Sequence, residues 1–259
     1  GMVFSFLTAV YWIFIYYEAE LVGVVLTVFL GIFFIICLGN AAARPALQRF
    51  AGAGLVTGLY LLVRPNLLLF IPAAAGWIFW IMVRRKQIRK YPLYLGGFVL
   101  AAALAILPPA IRNYSVSGET VPISTNMGVS LAVANNPITD GTTHLIPGIG
   151  DIGTPFDWPR IVRLLERKLG RDLTHRQASN LLAGRALRFI RENPTRFIGL
   201  LGRKALLFWG PFEIRNLKEV HYARKHSKLL GAIPLNFTLI LALGTVGFLL
   251  LVSDYKKEK

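Results

Sequence analysis

Between residues 124 and 141 the sequence reads STNMGVSLAVANNPITDG, a concentration of amides and hydroxyls in an otherwise apolar chain. Asn126, Asn135 and Asn136 bring amides, Ser124, Thr125, Ser130 and Thr139 bring hydroxyls, and Asp140 brings a carboxylate. Neutral donors and acceptors of this kind match the hydroxyl groups of a sugar, while Pro137 and Gly141 set turns around Asp140. The same residues also make an ordinary well-turned loop, so composition leaves both readings open. Three further sets could do chemistry. Arg64, next to Pro65 and Asn66, presents a guanidinium at the end of an apolar run, and a charge at such depth is either a functional group or a side chain reaching for the interface. Glu18 and Glu20 stand where the second apolar run begins, placed to favour a helix N-terminus or to orient a substrate hydroxyl or a metal. Arg203 and Lys204 are embedded in the apolar run TRFIGLLGRKALLFW, and arginine forks bind phosphate oxygens bidentately.

Other chemistries are excluded. His144, His175, His221 and His226 form no HExxH pair, so no histidine metal site is expected. There is no GxSxG elbow and no Walker-type loop. The single cysteine, Cys37, lies inside an apolar run, which rules out a disulfide within the chain and a cysteine metal site. A divalent cation held by carboxylates or carbonyls stays open.

The elements that must carry these residues are membrane helices. The chain is 54% hydrophobic, its mean hydropathy is +0.54, and apolar runs lie near 2–16, 19–38, 50–63, 67–83, 92–111 and 229–252. Several approach the length of about 20 residues that a spanning helix needs. The net charge of +16 calls for anionic partners. With this hydropathy and no nucleic-acid motif, those are membrane lipids and phosphates rather than nucleic acid. The cluster RRKQIRK at 84–90, taken as cytoplasmic, puts Arg44, Arg49 and the tail SDYKKEK on the same side. Glu18, Arg64 and the long segment 112–228 then face the extracytoplasmic side. The run at 50–63 is too short to cross upright, at roughly 21 Å, so Arg64 is expected within a cleft below the far surface.

Residues 112–156 are rich in Gly, Pro, Ser, Thr and Asn and read as loop, with short strands expected at 120–123 and 129–134. Helices are expected from Asp157 to Gly170, from the capping box THRQ at 174–177 to about 192, and from the Asn-Pro at 193–194 to about 209. The last of these suits the headgroup zone better than the hydrocarbon. The expected organisation is an all-α polytopic membrane protein. Its parts are a helical core at 1–111 with about five helices, an extracytoplasmic loop at 112–156, amphipathic helices at 157–228, and a final membrane helix with a cytoplasmic tail at 229–259.

The order of YYEAELVGVVLTVFLGIFF, FAGAGLVTGLYLLVRPNLLLFIP, RNYSVSGETVPISTNMGVSLAVANNP and ALRFIRENPTRFIGLLGRKALLFWGPFEI resembles the GT-C superfamily of polytopic glycosyltransferases. The likeness is to glycosyltransferase family 39, with the bacterial relatives of protein O-mannosyltransferases and aminoarabinose transferases. It implies an inverting transfer of a sugar from a polyprenyl-phosphate donor to a lipid, glycan or protein acceptor. The reaction would take place at the extracytoplasmic face of a bacterial inner membrane. It also implies roles: Arg64 and Asn66 toward the donor, Arg203 and Lys204 at the phosphate, Asn126, Asn135, Asn136 and Asp140 toward sugar or acceptor, and Glu18 at the cleft edge. The early acidic loop of that family has no counterpart in residues 1–17, which hold no Asp or Glu, so a chain lacking the N-terminal helices is expected. Glu18 and Asp140 are then the carboxylates left for catalysis. The rival reading is a non-catalytic membrane protein, a transporter or accessory subunit that handles anionic lipid.

Overall fold

The computed structural model describes residues 2–20, 23–152, 157–210 and 220–257. Residues 153–156 at the expected loop boundary, 211–214 of the family-like segment and 258–259 of the basic tail lie outside these. Thirteen helices are described in chain order: α1 (Met2–Ala9), α2 (Trp12–Glu18), α3 (Val24–Ala43), α4 (Leu47–Val63), α5 (Phe70–Arg84), α6 (Tyr91–Ser117), α7 (Met127–Ala134), α8 (Trp158–Leu169), α9 (His175–Glu192), α10 (Pro194–Phe208), α11 (Val220–His226), α12 (Lys228–Ala232) and α13 (Phe237–Lys257). A tight helical turn, Pro65–Leu69, precedes α5. One antiparallel hairpin pairs β1 (Leu145–Ile146) with β2 (Gly150–Asp151). Helices dominate the described residues and the hairpin is two residues per strand, so the all-α expectation holds. Val24–Ala43, Pro65–Arg84 and Ile88–Ser117 are each long and apolar enough to cross a membrane.

The chain forms two compact units. One combines Gly23–Leu131 with Pro155–Gly184. In it α4 packs against both α3 and α6, burying Phe50, Ala53, Gly54, Thr57, Gly58 and Leu61 at three- and four-residue intervals along one stripe. The two glycines let the backbones meet: a Cβ at Gly54 would overlap the carbonyl of Phe98, and one at Gly58 would come 2.5 Å from the carbonyl oxygen of Ala102. This is the small-residue spacing by which membrane helices approach closely. The Thr57 hydroxyl, inside the stripe, donates to Ala53 O at 2.7 Å. Phe50, Ile78, Met82, Tyr94 and Phe98 fill the core of this unit.

Cations gather at one end of it. Arg49 donates to Arg44 O (3.1 Å) and Asn40 O (3.4 Å), and Arg85 donates to Ala43 O (3.0 Å), so both serve carbonyls at the C-terminal end of α3. Arg84 lies 4.9 Å over the Trp80 ring. The start of α4 and the end of α5 therefore meet the end of α3, as alternating helices require.

The other unit combines Gly1–Val22, Ala132–Thr154 and Arg185–Lys259. Its apolar cluster joins Tyr11, Trp12 and Ile13 of the N-terminal segment to Val220 and Leu230. The polar loop after α7 and helix α10 also belong to it.

Several expectations are corrected. The run at 2–16 is two short helices, interrupted at Val10 and Tyr11, rather than one span. Glu18 closes α2 instead of opening α3, so the favourable helix N-terminus foreseen for it is absent. Helix α6 continues past 112 to Ser117 and ends on left-handed Gly118 (φ 68°). No strand forms at 120–123, and the stretch foreseen as a strand at 129–134 lies within α7. The run at 229–252 is broken between Ala232 and Phe237, around Pro234.

Candidate functional site

The expected site residues fall in both units. Arg64 and Asn66 are exposed at the end of α4 opposite its cationic end. Pro65 starts the next helical turn and holds Arg64 in a non-helical conformation (φ −136°, ψ 83°), as a residue before proline must be held. The Arg64 Nε donates to Thr27 Oγ1 on α3 at 3.2 Å. Leu69 (83% exposed) and Phe70 flank this end, so the guanidinium sits beside bare apolar surface. Asn126 lies ahead of α7, its N–H bonded to Ser124 Oγ at 3.1 Å and its carbonyl accepting from Ser130 N at 3.0 Å.

The densest constellation is in the other unit, where α10 carries the loop that follows α7. Asn193-Pro194 starts α10 with proline in its first turn. From there Arg196, Leu200, Arg203, Lys204 and Leu207 recur at helical offsets and share one face. Arg196 donates to Pro137 O. Lys204 Nζ donates to Ala134 O (2.6 Å), at the C-terminal end of α7 where a cation is favoured, and to Asn135 Oδ1 (3.3 Å). Arg203 reaches Asp140 at 3.9 Å. Gly141, with φ 92°, takes a conformation that suits glycine, and a Cβ there would come within 3.5–3.9 Å of Lys204, Leu207 and Leu200.

The loop is also tied from within. Asn136 is buried, and its amide donates to Ala132 O (2.8 Å), Val133 O (3.2 Å) and Leu145 O (2.9 Å), joining the end of α7 to the β-hairpin. Its Oδ1 accepts from Ile138 N and Thr139 N, both at 2.9 Å. Asp140 accepts from Thr142 N (2.9 Å), the Thr142 hydroxyl (2.9 Å) and Thr143 N (3.1 Å). These bonds, the Thr142 backbone first, pull its carboxyl down to about 2, so it is a stable anion and a weak base. Burial pulls the Lys204 ammonium below the ordinary lysine value, and its two acceptors are neutral.

The opposite face of α10 shows Ile198 (67% exposed), Leu201, Leu206, Phe208 (72%) and Trp209 to the exterior. One helix thus presents cations to a polar loop and apolar side chains away from it, the division expected of an element at a membrane surface.

The structure therefore brings together Asn135, Asn136, Asp140, Arg203 and Lys204, while Arg64, Asn66 and Asn126 are placed within the other unit. Glu18 is exposed at the end of α2, and nearby Glu20 accepts from the Tyr16 hydroxyl at 2.9 Å. Arg196 is not among the residues that the sequence singles out; its four-residue offset from Leu200 and eight-residue offset from Lys204 is the signal that places it on the loop-bearing face. Thr142 and Thr143 carried no signal beyond following an Asp. Among the described residues no group of three or more His, Cys, Asp or Glu side chains could hold a metal ion. No family model, no curated protein and no solved structure matches this chain.

Proposed function

We propose that the chain is a membrane glycosyltransferase of the GT-C kind, moving a sugar from a polyprenyl-phosphate donor to a lipid, glycan or protein acceptor. The observation that carries this reading is α10, a two-faced helix that holds an amide- and hydroxyl-rich loop on its cationic side and shows apolar residues on the other. Such an element fits the headgroup zone of the extracytoplasmic leaflet in a bacterial inner membrane, where a lipid-linked sugar phosphate would present its polar end. The order of sequence motifs supports the same assignment.

Displacement at an anomeric carbon with phosphate leaving needs cations or N–H donors for the departing charge and a carboxylate for the acceptor's proton. In this reading Arg64, with Asn66 beside it, meets the donor phosphate. Arg203, whose side chain is 57% exposed, keeps an accessible fork above the loop. Asn135 and Asn136 shape the loop more than they offer ligand contacts, because their buried side chains are already bonded, Asn135 to Lys204 of α10 and Asn136 to the end of α7 and the hairpin. The test is transfer from radiolabelled polyprenyl-phosphate sugars by membranes containing the chain. The wild type should transfer label and Arg64→Ala should lose it while remaining inserted; an inert wild type, or an Arg64→Ala variant of full activity, refutes the reading.

One observation favours the non-catalytic alternative, an anionic-lipid-handling subunit: Asp140 is too weak a base to accept a proton well, its carboxyl being held at about 2. Unchanged transfer in Asp140→Asn together with active wild type would show that the proton acceptor is another group.

A further inference from the structure

Helices α11 and α12 meet at Ser227, whose hydroxyl accepts from Leu230 N at 3.3 Å and caps α12. Their junction forms a cleft of about 660 Å³, lined by His221, Arg224, Lys225, His226, Ser227 and Lys228. Arg224, Lys225 and Lys228 bring cationic side chains, His221 and His226 bring imidazoles and Ser227 a hydroxyl; among the described residues no carboxylate lines the wall.

Part of the wall is fixed in advance. The Arg224 guanidinium lies 4.8 Å over the Trp12 ring and donates through Nη2 to Ile233 O at 2.9 Å. Stacking and one hydrogen bond hold the planar fork and leave its other donors for an anion. The His221 ring packs against the same indole, with centroids 6.2 Å apart. Trp12 itself is 2% exposed, and its indole N–H meets no acceptor among the described residues. A buried donor without an acceptor is uncommon, and here it belongs to the ring over which Arg224 of the cleft wall is stacked. Beyond the cleft, Leu229 (67% exposed) and Tyr222 (62%) are bare, and the chain passes from α12 into the apolar α13. Cations beside an apolar helix are where phosphate headgroups are met.

We propose that the α11–α12 cleft is a binding site for a phosphate group, presented by an anionic lipid headgroup or by a soluble diphosphate. Arg224 is the pre-set fork and Lys225 and Lys228 complete the charge. The site is separate from the residues given roles in sugar transfer and stands whether or not transfer occurs.

The test uses the full chain in phosphatidylcholine nanodiscs titrated with inorganic pyrophosphate by calorimetry. Saturable binding is expected, weakened about tenfold or more in Lys225→Gln/Lys228→Gln, since each removes a charge-assisted contact. Both lysines are exposed, so the variant should keep its helix content, and Lys225→Arg/Lys228→Arg should restore binding. Arg163→Gln/Arg167→Gln, exposed on α8, removes the same charge elsewhere and should leave binding unchanged. Adding phosphatidic acid to the discs separates the two sources. Suppressed pyrophosphate binding assigns the site to a lipid headgroup, and undiminished binding assigns it to a soluble phosphate. Absence of saturable binding by the wild type, or equal weakening by the α11–α12 and α8 variants, overturns the proposal.

Discussion

Asn136→Ala should unfasten the polar loop without unfolding the helices. Asn136 is 5% exposed; its Oδ1 accepts from Ile138 N and Thr139 N, and its two amide hydrogens are shared among Ala132 O, Val133 O and Leu145 O. Ile138 is exposed, so its N–H can turn to water, and the carbonyls at Ala132 and Val133 also belong to α7. The Thr139 N–H and the Leu145 carbonyl remain as the groups left without a partner. Each unpaired buried group costs about 1–3 kcal/mol, so the loop should lose roughly 3 kcal/mol of local stability. That corresponds to about two orders of magnitude in the opening equilibrium. Hydrogen exchange on the purified chain in detergent reads it directly: amides of the 136–146 segment should lose protection by about that factor while those of α4 and α6 stay unchanged. Unchanged exchange in the loop would show that α10 alone holds it, and the role argued for Asn136 would fall.

Two further outcomes are expected. Gly58→Leu should lower the thermal midpoint of the folded chain by several degrees or abolish recovery, because its Cβ would lie 2.5 Å from Ala102 O and 2.6 Å from Ala105 Cβ; overpacking of this kind costs about 1–3 kcal/mol or more. Gly52→Leu, on the same helix with nothing within 4 Å of its Cβ, should be tolerated, and equal damage by both would remove the close approach as the cause. Acid should leave the Asp140 turn intact until well below neutrality. The folded carboxyl sits at about 2 against an ordinary 3.8, so its contribution is complete above 3.8 and fades as pH falls toward 2. The amide shifts of Thr142 and Thr143 should move over that window in wild type and not in Asp140→Asn; a midpoint at or above 3.8 would contradict the hydrogen bonding described.

Much of the helical layout was legible because its signals are local. Asp157 Oδ1 accepts from Arg160 N at 3.3 Å, Gly170 ends α8 in the left-handed region, and Thr174 and Gln177 exchange bonds of 3.0 and 3.2 Å, all where the sequence placed them. The misreading at 129–134 has a non-local cause. Val129, Leu131 and Val133 alternate as a strand would, whereas the helix is secured by Ser179, far along the chain, whose Oγ accepts from Gly128 N at 3.1 Å and donates to Thr125 O at 2.6 Å. Glu18 is misplaced by hydropathy because the apolar run ends at about 16, whereas the helical backbone of α2 continues to Glu18 and α3 begins only at Val24. Within the site, the chemistry of Asn136 and Asp140 was readable but their partners were not. An Asn suited to a sugar hydroxyl and one that bridges α7 to the hairpin have the same letter, and only the carbonyl of Leu145 distinguishes them.

Because α4 and α6 touch through Gly54 and Gly58 with almost no side chain between them, no rotamer change can absorb a displacement along that seam. The stretch from Leu47 to Val63 acts as a ruler of about 26 Å, with the arginine-crowded connection at its head and Arg64 at its foot. The spacing of those charges is then a property of the polypeptide itself, unaltered by bilayers of different thickness.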